Sequence, residues 1–444
     1  MIKYLPTIGP ACCDTESLKV ILQHTSIIRL NGSHNTLDWH DKVMNEIKDI
    51  NPDAVILFDF PGIKPRTQNL ESISIRKGET VTFHEPSNES TSSGIQISNV
   101  IPRTSRSPEI FSINDGQFIF NQVILGPAHI SGVSQQNFML EPKKGLNIPY
   151  SEYNEEQQIE IYSAFYKRVQ KMNFDAVGLS FIQSPDTIKR MQQLIPDKIL
   201  ISKIENNIGY KNCSAIAKVS DGIMIDRGDL AAEVGGSDLY DAVLKISHET
   251  KKHGKFLIMA TENLESFIYD RRPTLSEIMS LSHSIDIGSS VIMLSGETAT
   301  NENWLTVLEW IEQFSIEKNN ISRPEEPLNV LETITDFNLL PTVVFSRTGA
   351  AVEEFRKRSN EQIILITDDT KTFKRFQFHS NVKTVLDSET FSRNDVDYIR
   401  KNCAKLYSEG IIDSEVIRVL WIAFPGHGTR LNTISLLRKE YILD

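Results

Sequence analysis

Charged side chains follow short apolar segments along the first 300 residues of this 444-residue chain. In Lys203-Ile204-Glu205, a lysine and a glutamate flank one apolar residue. Because alternate side chains of an extended strand point to the same side, Lys203 and Glu205 share one face and Ile204 faces the other. Burying two such charges without partners is costly, so the pattern implies either partner side chains or a ligand.

A second group of charges, Asp226-Arg227-Gly228-Asp229, follows the next apolar segment. Adjacent strands of a sheet lie about 4.8 Å apart, so Glu205 and Asp229 can converge on one ion. Two carboxylates with few other protein ligands suit Mg²⁺ or Mn²⁺. The alternative is an ion-pair network in which Lys203 and Arg227 satisfy these carboxylates without a metal.

The cations nearby suit a phosphate ligand. Gly228 leaves backbone N–H groups of a strand-to-helix turn accessible to a phosphate or a carboxylate. A further cluster of cations with hydroxyl and amide partners also suits phosphate; it consists of Arg29, Asn31, Ser33, Lys64 and Arg66. Taken singly, each of these residues could equally be a solvated surface group.

The elements that position these residues are short, continuous apolar runs typical of strands buried on both faces. We predict eight strands, at 3–8, 26–30, 54–58, 176–181, 199–204, 222–225, 256–260 and 290–294. Segments of helical periodicity lie between many of them, at 15–24, 156–172 and 237–253. Eight alternating strands and helices predict an α/β fold, a (βα)8 TIM barrel whose functional residues lie at the C-terminal strand ends.

Two regions depart from this alternation. Residues 67–147 are rich in Ser and Asn and contain period-two segments, which predicts a small β-barrel lid domain inserted after strand 3. Residues 322–327 have the composition of a linker, and four further strand candidates follow at 342–346, 362–367, 382–386 and 419–424. The predicted domains are therefore a barrel at 1–66 and 148–325, the lid at 67–147, and a C-terminal α/β domain at 326–444.

The composition excludes several classes of function. The chain carries 47 Lys and Arg against 58 Asp and Glu, a net charge of −11, so we expect neither nucleic acid nor an anionic membrane as a partner. No apolar run approaches the length of a transmembrane helix, and the first residues do not resemble a signal peptide. We therefore expect a cytosolic (cytoplasmic) protein whose four cysteines are reduced.

Ten collinear motifs give the sequence a specific resemblance. They are TIGPA at 7–11, RLNGSH at 29–34, KGLNIP at 144–149, SKIEN at 202–206, SDGIM at 220–224, RGDL at 227–230, AT at 260–261, LES at 264–266, RPT at 272–274 and IMLSGETA at 292–299. All ten resemble signatures of the pyruvate kinase family. They extend from near the N-terminus to about residue 300, whereas the C-terminal region is similar only in position and texture.

The resemblance implies transfer of a phosphoryl group from phosphoenolpyruvate to ADP, giving pyruvate and ATP. Lys203 would neutralise the phosphoryl group in flight, Arg29 would hold the phosphate, and Thr261 would help to deliver a proton to the enol carbon. The divalent metal, Mg²⁺ or Mn²⁺, would be bound by Glu205 and Asp229. The substrate would be bound by Arg29, Ser180, Lys203, Arg227, Gly228, Asp229 and Thr261. The nucleotide would be bound by Asn31, His34, Arg66 and Lys144. Asp115 and Lys144 belong to the lid and would close over the nucleotide phosphates.

The resemblance also implies a monovalent-cation pocket, formed by Asn31, Ser33, Asp59 and the backbone of Phe60. Lys64 occupies the position at which potassium-requiring members carry Glu. An ammonium group can supply the same local positive charge as K⁺, so we expect that K⁺ is not required. The resemblance further implies a homotetramer.

Several positions depart from the family pattern and leave the activity open. Asp226 replaces a small residue and adds a negative charge beside the metal or an extra ligand. Glu262 replaces Gln, Thr300 stands where the family has Lys, and RPTLSE at 272–277 replaces RPTRAE in a region that shapes the subunit interface. The added negative charge would weaken nucleotide binding. The alternatives are a kinase of the same mechanism with another acceptor or donor, a metabolite-binding regulatory paralogue, or a metal-dependent lyase acting on a pyruvate enolate.

Two turns of the C-terminal domain, 346–350 (SRTGA) and 425–429 (PGHGT), lie where the family binds sugar-phosphate effectors. Hydroxyl groups and glycine can cradle a phosphate, but they are also common turn residues. Effector binding and ordinary turn formation therefore both remain possible from the sequence.

Overall fold

The computed structural model describes residues 2–86, 94–114, 116–320, 340–357, 361–387, 396–421 and 433–443. The predicted linker at 322–327, the second candidate effector turn at 425–429, and Asp115 of the lid lie outside the described residues.

The chain begins with strands and helices in alternation. Three strands are separated by two helices, in the order β1 (Lys3–Pro6), α1 (Thr15–His24), β2 (Ile27–Asn31), α2 (Leu37–Ile50) and β3 (Val55–Phe60). Each helix begins at a side chain that accepts a hydrogen bond from a backbone N–H of the first turn, Asp14 for α1 and Thr36 for α2.

A group of short strands then replaces the alternation. These are β4 (Ile73–Ile75), β5 (Thr80–His84), β6 (Ile95–Gln96), β7 (Arg103–Thr104), β8 (Phe111–Ile113), β9 (Phe118–Leu125), β10 (His129–Ser134), β11 (Phe138–Leu140), β12 (Leu146–Asn147) and β13 (Ser151–Glu152). The main sheet has the order β12-β8-β9-β10-β5-β6 and is mostly antiparallel. Buried Phe83, Phe111 and Phe120 pack against one another in its core.

The alternation resumes after β13. The elements are α3 (Glu155–Val169), β14 (Ala176–Leu179), α4 (Pro185–Leu194), β15 (Ile199–Ile204), α5 (Asn207–Lys211), α6 (Cys213–Val219), β16 (Gly222–Asp226), α7 (Arg227–Val234), α8 (Leu239–Lys252), β17 (Phe256–Ala260), α9 (Phe267–Asp270), α10 (Leu275–Asp286), β18 (Val291–Leu294), α11 (Gly296–Ala299) and α12 (Trp304–Asn320).

Eight of these strands form one parallel sheet in the order β1-β18-β17-β16-β15-β14-β3-β2. A parallel bridge between Thr7 and Arg29 joins the two end strands and closes the barrel. The predicted TIM barrel is therefore confirmed. Two strands end two residues earlier than expected. β1 ends at Pro6 rather than residue 8, and β14 ends at Leu179 rather than residue 181, because Phe181 has a positive φ of 59° that extended backbone does not tolerate.

The barrel strands are buried on both faces. Outward-facing residues such as Ile56 and Ile204 pack against the surrounding helices, and inward-facing residues such as Leu57 and Met224 fill the interior. This double burial explains why the strands read as continuous apolar runs. Charged side chains in these strands therefore stand out, and they lie near the C-terminal strand ends.

The C-terminal region forms a second open sheet. Its elements are β19 (Thr342–Phe345), α13 (Ala350–Arg356), β20 (Ile363–Thr367), α14 (Thr370–Phe376), β21 (Val382–Leu386), α15 (Val396–Ser408), β22 (Val416–Trp421), β23 (Thr433–Arg438) and α16 (Lys439–Leu443). The strand order is β21-β20-β19-β22-β23, with β23 antiparallel to β22. The predicted strand at 419–424 begins three residues earlier than expected, and β23 was not predicted.

Two further observations concern the whole described chain. All four cysteines are free thiols. Within the described residues, we find no helix whose length and apolar character would suffice to cross a bilayer.

Candidate active site at the barrel rim

Lys203 and Glu205 lie at the C-terminal end of β15 and contact each other directly. The Lys203 Nζ is 2.8 Å from Glu205 Oε1 and 3.7 Å from both Asp59 and Asp226. Burial alone would lower the pKa of Lys203, but these carboxylates raise that pKa above its usual range. The ammonium group therefore stays charged and is held at the centre of the rim.

Three buried carboxylates, Glu205, Asp226 and Asp229, lie together beside Lys203. One oxygen of each lies within 4.8 Å of the others, a spacing at which all three can bind one metal ion. Burial raises the pKa of Glu205 to about 8, and the charges of Asp226 and Asp229 add to this effect while Lys203 opposes it. A carboxylate cluster with too little positive charge fits a divalent cation, and oxygen donors are those that Mg²⁺ and Mn²⁺ prefer.

Asp229 has two further side-chain contacts, one of which comes from the insertion. The Lys64 ammonium forms a short ion pair with Asp229 Oδ1, and the Asn147 side-chain amide donates to the same oxygen at 2.8 Å. Both Lys64 and Asn147 are buried. Asn147 belongs to the KGLNIP motif, yet sequence reasoning gave it no role. Lys64 was expected in the monovalent-cation pocket, and the structure places its charge on Asp229.

Arg29 lies across the barrel mouth from the carboxylate cluster. Its guanidinium donates to Asp59 Oδ2 at 2.8 Å through Nε and to the Thr7 hydroxyl at 2.8 Å through Nη1. Burial alone would raise the pKa of Asp59, but Arg29 and Lys203 hold that pKa below its usual range. Asp59 thus couples Arg29 to Lys203 and keeps both cations in place.

The turn after β17 carries Thr261 in a left-handed conformation. Thr261 and Glu262 have φ angles of 59° and 53°, a strained geometry for residues other than glycine. The Thr261 Oγ1 accepts a hydrogen bond from the Gly228 N–H at 3.1 Å and lies 3.0 Å from Asp226 Oδ1. The Thr261 hydroxyl is therefore fixed at the edge of the carboxylate cluster.

Arg227 supports this turn. Its Nη2 donates to Asn263 Oδ1 and to the Glu262 carbonyl, both at 2.7 Å, and also to the Thr261 carbonyl. Its Nη1 donates to the Ser280 hydroxyl at 2.6 Å. The guanidinium of Arg227 holds the Thr261 turn through these contacts, and its role in substrate binding stays a prediction.

The remaining predicted residues lie on the β2, β3 and β14 side of the rim. Ser180 donates to the Phe60 carbonyl at 3.1 Å, and the Asn31 side chain accepts from the Ser33 N–H at 3.1 Å. The Phe60 side chain is buried and packs outside the barrel against Phe165. These contacts keep the ends of β2, β3 and β14 together.

His34 marks a cluster of cations between β2 and the insertion. Burial lowers the pKa of His34, and the charges of Arg66, Arg29, Lys144 and Lys143 lower it further. The Arg66 guanidinium donates to the Lys143 carbonyl at 3.2 Å, which connects the barrel rim to the lid. Cations converging on a neutral imidazole favour an anionic ligand.

We expect the pKa of His34 to rise when ADP binds, because phosphate charges would offset the surrounding cations. An NMR titration of the imidazole resonances, with and without ADP, measures this change. His253, which follows the C-terminal end of α8, is the control. Its pKa is lowered mainly by burial and should not change when ADP binds. An unchanged pKa for His34 would place the nucleotide elsewhere.

Glu233 is a buried carboxylate that sequence reasoning missed. It lies one helical turn after Asp229 in α7, and neither side-chain oxygen has a hydrogen-bond partner among the described residues. Burial raises its pKa well above the usual range, and Asp229 adds to this while Lys64 opposes it. The i, i+4 spacing from Asp229 was the available signal. Glu233 also lines a cavity of about 920 Å³ between α7, α10 and the insertion, which adjoins the rim at Gly228.

The fold and the site together define a TIM-barrel protein with a charged rim suited to a divalent cation and a phosphate-bearing ligand. The family model described as "Pyruvate kinase, barrel domain" matches residues 1–305. The chain belongs to the pyruvate kinase family.

Comparisons with individual proteins agree with this assignment. A pyruvate kinase of Thermotoga maritima is 25% identical over 473 residues, covering 99% of both chains. Pyruvate kinases of Chlamydia muridarum and Borreliella burgdorferi are 32% and 29% identical and cover 67% of this chain, with the alignments spanning 65% and 64% of those proteins. A crystal structure of a pyruvate kinase from Cryptosporidium parvum superposes with a TM-score of 0.81, at 24% identity, over 98% of this chain and 96% of that one.

Proposed function

We propose that this protein transfers the phosphoryl group of phosphoenolpyruvate to ADP, giving pyruvate and ATP. The observation that carries the proposal is the position of the Lys203 ammonium, in contact with Glu205 and beside Asp226 at the barrel rim. Phosphoryl transfer depends on positioning and on positive charge around the equatorial oxygens more than on covalent chemistry. A charged lysine beside carboxylates that could bind a metal ion provides this positive charge.

The cations of the rim have separate roles in this proposal. Lys203 neutralises the phosphoryl group as it moves, and Arg29, held by Asp59, binds the phosphate in the ground state. The backbone N–H groups near Gly228 and the Ser180 hydroxyl complete the substrate site. Arg227 acts indirectly, since its contacts fix the Thr261 turn.

Thr261 lies where a proton donor for the enol carbon is needed. Its hydroxyl is held between the Gly228 N–H and Asp226, and we propose that it orients the water that delivers the proton. The proton ends on carbon as the enol oxygen loses its phosphoryl group and becomes the pyruvate carbonyl.

Glu205 and Asp229 would hold the divalent cation, Mg²⁺ or Mn²⁺, and Asp226 lies close enough to be a third ligand. The bound ion would supply positive charge to the phosphoryl oxygens. Lys64 now contacts Asp229, so its ammonium would have to share or release that carboxylate when metal binds. Asn31, His34, Arg66 and Lys144 surround the cationic cluster proposed to bind the nucleotide phosphates.

Phosphorus NMR tests the reaction directly. The protein is incubated with phosphoenolpyruvate, Mg²⁺ and, in turn, ADP, GDP or UDP. We expect the phosphoenolpyruvate resonance to disappear as a nucleoside triphosphate γ-resonance grows. Phosphoenolpyruvate that persists with all three acceptors would contradict the proposal.

We also propose that K⁺ is not required, because the Lys64 ammonium supplies a fixed positive charge at the rim. Replacing Lys64 with glutamate should make turnover depend on K⁺, with at least about a tenfold difference between K⁺ and tetramethylammonium buffers, equivalent to about 1.4 kcal/mol in the barrier. Initial rates of pyruvate formation measure it, and Lys19→Glu on exposed α1 is the matched control. A wild-type enzyme that needs K⁺ would contradict this role of Lys64.

A second candidate is a kinase of the same mechanism with another acceptor or donor. This candidate is favoured by the negative charges of Asp226 and Glu262 beside the site. It is also favoured by the exposed Thr300, an uncharged residue at the position where the family has Lys. The acceptor panel above distinguishes the two. A regulatory paralogue would bind the metabolites without any phosphoryl transfer.

We further propose that the protein assembles as a homotetramer and acts in the cytosol.

A further inference from the structure

The C-terminal domain is docked closely on the floor of the barrel, far from the rim. Phe378 belongs to the apolar cluster of the barrel interior and stacks on Phe256 of β17 at a ring distance of 5.0 Å. A Cβ on Gly254 would come within 2.3 Å of the Glu353 carbonyl oxygen, so only glycine allows α13 to lie this close. We call this contact the floor interface; it comprises 254–256 of the barrel and 353–356 and 375–379 of the C-terminal domain.

Arg356, the last residue of α13, has an unsatisfied guanidinium in this interface. Its Nη1 is buried and has no hydrogen-bond partner, and the described residues offer Arg356 neither a hydrogen bond nor an ion pair. Burial lowers the pKa of Arg356 to about 10, and no carboxylate offsets that effect. Leaving the donors of a charged Nη1 group buried without partners is costly.

The surroundings of Arg356 are also positively charged. The pKa of His379 is lowered well below its usual range, first by burial and then by Arg356, Arg375, Lys3 and Lys255. The Nδ1 of His379 and the Nε of Arg375 are likewise buried without partners.

Acidic groups compensate only part of this charge. Glu353 pairs with Lys255 at 3.2 Å and with Arg375 at 3.1 Å, and Asp221 pairs with Arg375 at 3.3 Å. Lys3 is bonded only to a neutral group among the described residues, the Gln377 carbonyl, at 2.6 Å. Four basic side chains, Arg356, Arg375, Lys3 and Lys255, thus face two carboxylates, and neither carboxylate pairs with Arg356 or with Lys3.

A small cavity lies at the unsatisfied guanidinium. Its volume is about 20 Å³, and Arg356, Lys255, Lys251, Thr250 and Gly288 are among the residues that line it. That volume accommodates about one water-sized particle. The cavity is therefore lined by three cationic side chains and is too small for a phosphate ester or a nucleotide.

We infer that the floor interface binds one small inorganic anion, a halide such as chloride, between Arg356 and the Lys255 turn. The anion would satisfy the buried guanidinium and balance the excess positive charge between the two domains. Arg356 is the last residue of α13, which begins at the 346–350 turn. An anion bound at Arg356 would therefore connect that turn, through α13, to the barrel floor. Docking of the C-terminal domain should then depend on the anion.

Thermal unfolding in sodium chloride and in sodium gluconate, at equal ionic strength, tests the inference. We expect chloride to raise the wild-type midpoint in a saturable way, on the order of a few degrees, since a ligand that binds only the folded state stabilises it. In Arg356→Met the chloride response should vanish, and its midpoint in gluconate should equal or exceed that of the wild type because a buried unpaired charge is gone. Arg400→Met, an exposed arginine of the same domain, should keep the wild-type response.

Crystals of the wild-type protein grown in sodium bromide provide a readout that does not need a variant. We expect one anomalous peak in contact with Arg356 Nη1. The inference fails if no such peak is present, or if the chloride response is absent from the wild type or survives in Arg356→Met. Neither measurement depends on phosphoryl transfer, so it stands or falls separately from the proposed activity.

Discussion

Replacing Lys203 with methionine is expected to lower turnover by on the order of a thousandfold while the fold remains intact. Lys203 is the charge that contacts Glu205 and lies beside both Asp59 and Asp226, and methionine keeps the length of the side chain without that charge. The fold should survive because the remaining charges keep partners. Asp59 retains Arg29. Burial already raises the pKa of Glu205 to about 8, and without Lys203 that pKa rises further, so the carboxyl group stays neutral near pH 7 and leaves no buried unpaired charge.

The test of Lys203→Met is a comparison of kcat and KM for phosphoenolpyruvate, with circular dichroism and thermal unfolding to check the fold. The loss should fall on kcat, since Lys203 is proposed to act on the phosphoryl group during transfer. Lys198→Met is the matched control, because Lys198 precedes the same strand but lies at the opposite end and donates to the Phe174 carbonyl. Near-normal activity in a folded Lys203→Met protein would refute the mechanism.

Replacing Asp229 with asparagine should weaken binding of Mn²⁺ by about a hundredfold or more, since even outer contacts of a metal site contribute ten- to hundredfold. The substitution removes one negative charge from the cluster of Glu205, Asp226 and Asp229 while preserving the volume of the side chain. Titration of free Mn²⁺ by electron paramagnetic resonance measures binding without any turnover.

Two further substitutions serve as a control and as a test of the third ligand. Asp238→Asn, at the exposed start of α8, should leave the Mn²⁺ affinity unchanged. Asp226→Asn should weaken binding if Asp226 is the third ligand that its distance allows. Equal Mn²⁺ affinity in the wild type and Asp229→Asn would mean that the carboxylates serve only the ion-pair network with Lys203.

The sequence predicted the barrel because its strands are buried on both faces and their apolar residues are continuous. The predicted strand at Ile199–Ile204 and helix at Thr15–His24 have the bounds that the structure gives. Strand β23 was missed because it lies at the edge of its sheet and its sequence, TISLLR, does not alternate regularly between polar and apolar residues. Edge strands are constrained on one side only, so their sequences carry less information.

The site was predicted in part, because the order of residues along the chain shows which strand ends carry charge but not how the side chains pair. The contact between Lys203 and Glu205 follows from their alternation in one strand. The pairing of Lys64 with Asp229 joins residues from different sides of the barrel, and only the closed fold reveals it. The contacts of Arg227 with the Thr261 carbonyl could not be predicted for the same reason, since the direction of its guanidinium depends on the turn after β17.

The central claim is most directly tested by the initial rate of pyruvate formation from phosphoenolpyruvate and ADP with Mg²⁺, followed by coupling to lactate dehydrogenase, with and without K⁺. We predict turnover that requires the divalent metal and does not require K⁺. No pyruvate with any divalent metal or nucleoside diphosphate would contradict the assignment of the rim around Lys203 as a phosphoryl-transfer site.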